Sequence, residues 1–566
     1  MNQPNRLSDG GQIDRSQPID FYFNGRQYTG YKGDTLASAL LANGVMLVGR
    51  SFKYHRPRGI MTAGTEEPNA LVQLERDART IPNVPATRIP LYDHLDASSV
   101  NCWPSPSFDV MAINGLFHRI LPAGFYYKTF MWPASAWKYY EHIIRRAAGL
   151  GRSPEEPDQD TYDKMNAHPD VIVIGAGPAG LAAALSAGRT GARVMLVDEN
   201  LELGGQLLNE REEIDGAPAL EWVAAAETEL SAMPEVTILK HTMATGLYDH
   251  NLVSLVENRS DIISMDQDGK TRQRFWRVRA KHVILATGAI ERPLIYSDND
   301  RPGSMLANAL RAYVNRYGVA PGTRHVIFTN NDDAYRSALD LKAAGADVAC
   351  VIDIRPDPSG ELVTRAIEAG IEVIDHSAIT GVIGRNAIRA IEIMRLNDDG
   401  DGVTGTARTI KCDIVGSSGG WNPVVHLHSH PGGRCTWREE DGVFLPGDTL
   451  QDNVSAGSAN GSFDLQSALN EGDFAGTEAT STLGLTNKKR PTVPKATDAV
   501  DEDPWRVLWY IPTTKPVGER GKHFLDPQND VSVPDVQLAA REGYRSVEHT
   551  KRYTTLAMAT DQGKTG

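Results

Sequence analysis

Cysteine is scarce in this sequence: four in 566 residues, at Cys102, Cys350, Cys412 and Cys435, far apart and without a CxxC spacing. That argues against a structural zinc, an iron–sulfur cluster or a redox disulfide contributed by local sequence. Long apolar runs are missing too. No stretch of about 18 or more apolar residues is present, so no membrane-spanning helix is expected. The polar amino terminus, MNQPNRLSDGGQIDRSQ, lacks the apolar core of a signal peptide, and a cytoplasmic location is the expectation. Basic charge is outweighed, since 58 Lys and Arg against 72 Asp and Glu leave a net charge of −14. A nucleic-acid partner would need a basic face, which this balance disfavours. No Ser–His–Asp or paired-carboxylate pattern rises above chance.

A chain this long exceeds one hydrophobic core, so three or four domains are expected. After a leader of about 17 residues, expected to be disordered, comes IDFYFNGRQYTGYKGDTLASALLANGVML. Alternating FYF and RQY flank Asn24-Gly25, a strong hairpin signal. Asp34 is placed to cap a helix that Gly44 stops. Hairpin followed by helix is how a β-grasp, ferredoxin-like domain begins, here assigned to residues 1–100. Where a plant-type ferredoxin presents C-x4-C-x2-C to iron, SFKYHRPRGIMTAGTEEPNALVQL has no cysteine. The scaffold is therefore expected without an iron–sulfur cluster. Residues 101–168 read as a connecting segment with one amphipathic helix. The rest divides into a dinucleotide-binding domain, 169–300 and 411–485, interrupted by a nucleotide-binding-like insertion, 301–410. A Pro- and charge-rich linker and a small helical segment, 486–566, close the chain.

The chemistry concentrates after Asp170. HPDVIVIGAGPAGLAAALSAGRTGARVMLVDEN spells strand, glycine turn, helix, strand and acid. Gly175 permits the tight turn, Gly177 lets backbone approach a pyrophosphate, and Gly180 allows close helix–strand packing. The helix N-terminus offers amide donors to phosphate oxygens. Asp198, eighteen residues after Gly180, is placed to accept ribose hydroxyls and disfavours a 2′-phosphate. Gly204, Gly205 and Gln206 form a turn that either passes beside the diphosphate or is plain. Thr287 and Gly288 in VILATGA, and Gly447-Asp448 in GVFLPGDT, complete the signature of a two-dinucleotide-binding flavoprotein. The expected class is thus α/β, a Rossmann-like fold of that type behind the β-grasp domain. These motifs do not separate FAD from NAD, which share the adenosine half.

Three further features are ambiguous. VIFTNNDDAYRSAL outlines a second βαβ unit whose phosphate loop carries Asn330, Asn331, Asp332 and Asp333 instead of glycines. The asparagines tolerate left-handed backbone and either aspartate can cap the helix, yet carboxylates there would repel a phosphate. Lys53, His55, Arg56 and Arg58 form a basic cluster that reads either as a solvated loop or as the partner of a cofactor phosphate. His426, His428 and His430 alternate, as on one face of a strand, which reads as a surface strand or, less simply, as metal ligands.

At these residues the chain resembles the α subunit of bacterial heterotetrameric sarcosine oxidase and the related N-methylglutamate dehydrogenase subunit. The likeness is carried by GDTLASALLANGV, SFKYHRPRG, VIVIGAGPAGLAAAL, FTNNDDAYRSAL, SGGWNP, SAGSANGSF and REGYRSVEHTKRYTTLAMATDQGKT. It implies a subunit of an amine-oxidising complex that binds NAD (or FAD) at its first site, through Ala179, Asp198, Glu199, Gln206 and Met243. It also implies FMN at a subunit interface, and partners comprising an FAD-containing β-type subunit and small subunits; the basic SFKYHRPRG stretch, read from its own charge and not from the resemblance, is a candidate neighbour of the FMN phosphate. The substrate would be a small N-methyl amine or amino acid, oxidised on the partner flavin. The family's α subunit continues into a folate-binding domain after DQGKT, whereas this sequence stops at Gly566, so that module is expected to be truncated, separate or absent. Two other readings stand beside this one: a self-contained FAD-dependent NAD(P)H oxidoreductase, and a non-catalytic scaffold with an empty site.

Overall fold

A computed structural model describes residues 3–125, 132–148, 150–259, 271–486, 492–497, 500, 502–514 and 521–566. The chain forms two compact units. One comprises Met1–Asp158, Glu291–Gly420 and Glu502–Gly566, the other Gln159–Ile290 and Trp421–Asp501. Part of the expected linker, residues 487–491, 498–499 and 501, lies outside the described residues.

The first unit opens with a five-stranded sheet in the order Arg26–Lys32, Asp14–Phe23, Asp96–Ser99, Leu71–Leu74, Ile81–Pro85. Its first two strands pair antiparallel across Asn24 and Gly25, both at positive φ (52° and 74°), the geometry of a two-residue primed turn. The helix Leu36–Ala42 is buried on every residue, as a helix must be when its sequence, LASALLA, is apolar all round. Thr35, not Asp34, caps it: the Thr35 hydroxyl accepts from Ser38 N, and Ser38 Oγ accepts from Thr35 N. Asp34 is drawn elsewhere, accepting from Tyr31 N at 2.9 Å and pairing with Arg6 at 2.6 Å. Arg6 also donates to the Tyr317 carbonyl at 2.7 Å. The expected disordered leader is therefore ordered from residue 3, because its arginine is needed to neutralise a buried acid.

The same unit contains a parallel sheet ordered Ser304–Leu306, Ile414–Ser418, Arg324–Thr329, Asp347–Asp353, Val373–Ile374. The helices Ala307–Tyr317, Asp333–Ala343 and Glu361–Glu368 alternate with its strands. Val326, Phe328, Ile352 and Val415, all fully buried, centre its core. The carboxyl-terminal stretch adds a hairpin, Phe524–Asp526 with Val531–Ser532, and the helices Val533–Arg541 and Val547–Thr554.

The basic cluster ties these segments together. Arg56 holds Asp298 at 2.7 Å and Asp300 at 2.6 Å. Arg58, 1% exposed, pairs with both Asp300 and Asp530. His55 meets Asp109 at 2.8 Å. Of the two readings left open for it, the solvated loop does not hold: the cluster is a buried ion-pair network, with guanidinium forks matched to carboxylates. Burial would raise the pKa of Asp300, but Arg56 and then Arg58 outweigh it and hold the carboxyl well below its usual range. The sign follows: this stability is present above the unfolded carboxylate pKa of about 3.9 and is lost as acid protonates the folded group below it. Asp300→Asn leaves Arg58 underpaired in the interior. It is expected to cost about 3–5 kcal/mol at neutral pH and clearly less at pH 3, read from urea denaturation at both pH values.

Candidate functional site

In the second unit, five parallel strands run in the order Val236–Leu239, Val194–Val197, Val171–Ile174, His282–Leu285, Asn453–Ser455. The three central strands are apolar on both faces, as expected of a parallel sheet covered on both sides. Ligands of such sheets bind beyond the carboxyl ends of the strands, where the order reverses. Gly175, Asp198, Thr287 and Gly288 all follow such ends. A second, four-stranded sheet, Thr242–Tyr248, Leu252–Asn258, Gln273–Arg279 and Tyr162–Ala167, packs through Leu247, Val253, Leu255 and Val278 onto Ile172, Met195 and Val283.

Backbone contacts explain the glycines. Gly175 sits at φ 101°, and a Cβ there would overlap the Ala286 carbonyl and approach Thr287 N. At Gly180 a Cβ would overlap the Gly175 carbonyl oxygen. Between them, Gly177 is the N-cap and Pro178 the first residue of the helix Pro178–Gly188, whose leading N–H groups have no partners within the helix. Gly204 N donates to Ala176 O at 2.9 Å, and a Cβ on Gly205 (φ 56°) would lie 2.8 Å from Gly177 Cα. The Gly204–Gly205 turn thus lies against the Gly175–Gly180 loop, a juxtaposition that only the fold could decide. A would-be Cβ on Gly288 (φ 74°) meets nothing within 4 Å, so that corner is open.

Asp198, 7% exposed, is held by the loop it serves. Its Oδ2 accepts from Ala176 N at 2.7 Å, and its Oδ1 accepts from Asn200 N at 2.8 Å and Asn200 Nδ2 at 3.1 Å. Thr242 N donates to Asp198 O at 2.7 Å, bringing the neighbouring Met243 to the same strand end. Glu199 follows directly. Gln206 opens the short turn Gly205–Leu208, its Oε1 accepting from Asn209 Nδ2 at 3.2 Å. Ala179 is 6% exposed in the first helical turn. Thr287 Oγ1 donates to Val424 O at 2.9 Å, and Gly288 O accepts from Val424 N at 3.0 Å. Gly447 and Asp448 are placed differently. They pair with Arg434 backbone (2.8 and 2.9 Å) at the open end of the hairpin Cys435–Arg438 and Val443–Pro446.

Sequence reasoning missed the far wall. The helix Leu465–Ser481 crosses Pro178–Gly188 so closely that a Cβ on Gly472 or Gly476 would overlap the Ala179 or Ala183 carbonyl. Gly457 (φ 67°) lies 2.8 Å, by its would-be Cβ, from the Ala179 methyl, and its N–H donates to Glu471 at 2.9 Å. Asp473 is buried on Ser186 Oγ. The i, i+4 spacing of Gly472 and Gly476, facing Ala179 and Ala183 at the same spacing, was the available signal.

The remaining motifs resolve by packing. Asn330, Asn331 and Asp332 are fully buried. Asp332 does not cap its helix through its side chain. It pairs with Arg355 at 2.6 Å and accepts from Asp503 N at 2.7 Å. Asn330 exchanges bonds with the Arg506 backbone at 2.9 and 3.1 Å, and neither asparagine takes a positive φ. Chain from 503–506 thus occupies the mouth of this loop. His426 and His428 lie on a helical turn, His426–Ser429, that His430 caps, not on a strand. His428 is buried with Nε2 3.0 Å from Arg434 O, and no cluster of three or more His, Cys, Asp or Glu fit for a metal occurs among the described residues.

Three family models match the chain: a 2Fe-2S iron-sulfur cluster binding domain over residues 16–102, a pyridine nucleotide-disulphide oxidoreductase over 169–327, and a sarcosine oxidase A3 domain over 520–566. Along 99% of its length the chain is 47% identical to sarcosine oxidase subunit alpha of Rhizobium meliloti (strain 1021), covering 55% of that protein. It is 37% identical, also over 99%, to the same-named subunit of Corynebacterium sp. (strain P-1), covering 54% of it. The chain therefore spans about half the length of the curated relatives it matches. Among solved structures, L-proline dehydrogenase from P.horikoshii aligns with a TM-score of 0.62 and 19% identity, over 99% of this chain and 92% of that one, a likeness of fold. The α/β, FAD/NAD-binding Rossmann-like class is thereby established.

The match over 16–102 corrects the expectation of a chain without an iron–sulfur cluster, because the family of that domain is a cluster-binding one. The sequence reading rested on missing cysteines, whereas the domain's fold is what the family model detects. The fit of the residues is limited. Cys102 is the single cysteine in the span, and burial, with Asp109 beside it, pushes its thiol up to about 11, against the thiolate a cluster ligand must be.

Gly180→Ala and Gly472→Ala each force backbone apart on one side of the same helix. Each is expected to destabilise the fold by about 1–3 kcal/mol and to weaken dinucleotide retention, measured by chemical denaturation and by nucleotide content after gel filtration.

Proposed function

From its kinship with sarcosine oxidase α subunits along nearly its whole length, we propose that this chain is an α-type subunit of a heteromeric oxidoreductase. Its complex acts on sarcosine or a related N-methyl amino acid. The chain binds NAD at the Gly175–Gly180 loop, with FAD as the alternative occupant. FMN lies at a subunit interface, and substrate oxidation takes place on an FAD-containing β-type partner, with small subunits completing the assembly.

One observation carries the reading: Gly175, Gly177 and Gly180, the Gly204–Gly205 turn and Asp198 converge at the carboxyl ends of two neighbouring strands, Val171–Ile174 and Val194–Val197. The loop amides and the start of the helix Pro178–Gly188 bind a diphosphate. Asp198 accepts from ribose hydroxyls, and its charge repels a 2′-phosphate, selecting NAD over its phosphorylated form. Met243 and Glu199 border the adenosine end. NAD, when bound, supplies a nicotinamide that accepts or gives a hydride. The inserted sheet around Asn330–Asp333 serves architecture, since its loop mouth is filled by the chain's own backbone and carboxylates.

Nucleotide released on denaturing the purified chain tests this. Wild type is expected to release NAD in near-equimolar amount, and Asp198→Ala to release little. Asp332→Asn, which keeps the shape of the filled loop, is expected to release as much as wild type. Equal loss from both variants, or release of FAD together with NADH oxidase turnover by the chain alone, would overturn the assignment.

A further inference from the structure

Lys53 stands apart from the other members of the basic cluster. It lines a cavity of about 340 Å³ in the first unit, remote in sequence from the dinucleotide motifs. Phe52, Phe125, Trp137 and Tyr553 supply aromatic walls, and Arg552 joins Lys53 as a second cation. No carboxylate is among the described lining residues.

The cavity is built, not left over. Tyr553 is stacked on Tyr544 with centroids 4.5 Å apart, and its hydroxyl donates to Glu542 at 2.5 Å. Gly124 (φ 71°) passes under that ring, where any Cβ would overlap it. Thr555, a β-branched lining residue, sits in the left-handed region at φ 67°, a conformation that costs energy and collects at binding sites. Asn529 Nδ2 holds it there by donating to the Thr555 carbonyl at 2.8 Å.

The charges select the ligand. Lys53 Nζ lies 3.8 Å from Asp535 Oδ1, beyond hydrogen-bond distance. Asp535 is already committed, accepting from Ala123 N at 2.8 Å and from Ser532 N and Oγ at 2.9 and 2.7 Å. The ammonium also faces the rings of Tyr54 and Phe125 at 4.8 and 5.8 Å. Burial lowers its pKa, with Asp535 and Asp530 opposing, as for a cation short of solvent. Arg552 reaches the cavity from the surface, where it pairs with Glu548 at 3.3 Å. Asp535 repels any anion on Lys53, and a dianion about twice as strongly as a single carboxylate.

We propose that this cavity binds a small aromatic carboxylate, its ring between the aromatic walls and its carboxylate on Lys53 and Arg552. The assignment is independent of the dinucleotide reading. Isothermal titration of the full chain with benzoate, benzamide and benzylamine tests it. Benzoate is expected to bind one to one, about tenfold tighter than neutral benzamide, with benzylamine weaker still. Lys53→Met is expected to weaken benzoate about tenfold. Arg552→Gln, a change at an exposed guanidinium, is expected to weaken it about threefold with no loss of fold by circular dichroism. Should Lys53→Met fail to fold, Arg552→Gln and the benzoate–benzamide ratio decide. Equal binding of benzoate and benzamide, no saturable benzoate binding, or benzoate binding untouched by Arg552→Gln and by a folded Lys53→Met would each overturn the proposal.

Discussion

Where the helix Pro178–Gly188 leaves the parallel sheet, backbone meets backbone on three sides. The Gly175 turn lies under its first residues, the Gly204–Gly205 turn beside its cap, and Gly472 and Gly476 of a second helix against its flank. No side chain larger than hydrogen fits at these points, so the packing is set by main-chain shape and not by side-chain volume. The arrangement brings the leading amides, the Asp198 carboxylate and the open corner at Gly288 to one place. Remove one glycine and the helix must back away, taking the amides with it. The proposed chemistry of this unit depends on that approach.

The first unit is held by a different means. Arg56 and Arg58, two residues apart, bind acids contributed by 298–300 and by 530, so three distant stretches of sequence converge on one pair of guanidinium groups. Buried ion pairs contribute little net stability against an apolar replacement, but breaking one is costly and their geometry is demanding. They therefore specify which segments meet. Arg355 does the same for Asp332 and Asp353. In both cases a motif suggestive of phosphate chemistry, basic in one and loop-like in the other, is absorbed by charges from the chain itself. Lys53 differs because its nearest acid is already engaged in capping a helix.

Legibility followed the range of the interaction. The Asn24-Gly25 hairpin, the helix Leu36–Ala42 and the strand–turn–helix at Gly175 depend on residues within a few positions, and their sequence patterns carried them. The cap at Thr35 was misassigned to Asp34 because Asp34 answers to Arg6, 28 positions away. The histidines of HLHSH alternate as a strand would, yet His426 and His428 lie on a helical turn that His430 caps, with His428 bonded to the Arg434 carbonyl. The expectation of no iron–sulfur cluster, drawn from missing cysteines alone, is the one that the match of residues 16–102 to a cluster-binding family overturned.

Sequence by itself determined the strand–glycine turn–helix at Gly175, the acid after the next strand, the β-grasp opening and the family resemblance, since each is a local string with a fixed spacing. Only tertiary structure decided what those strings touch. It set the Gly204–Gly205 turn against Gly177, brought Gly457 and the Leu465–Ser481 helix to the back of the site, and filled the Asn330–Asp333 loop with residues 503–506. It also turned a basic string into a buried network with one lysine facing a cavity. The physical reason is common to all four: a partner's identity depends on chain segments tens to hundreds of positions away, and no local spacing encodes which of them arrives.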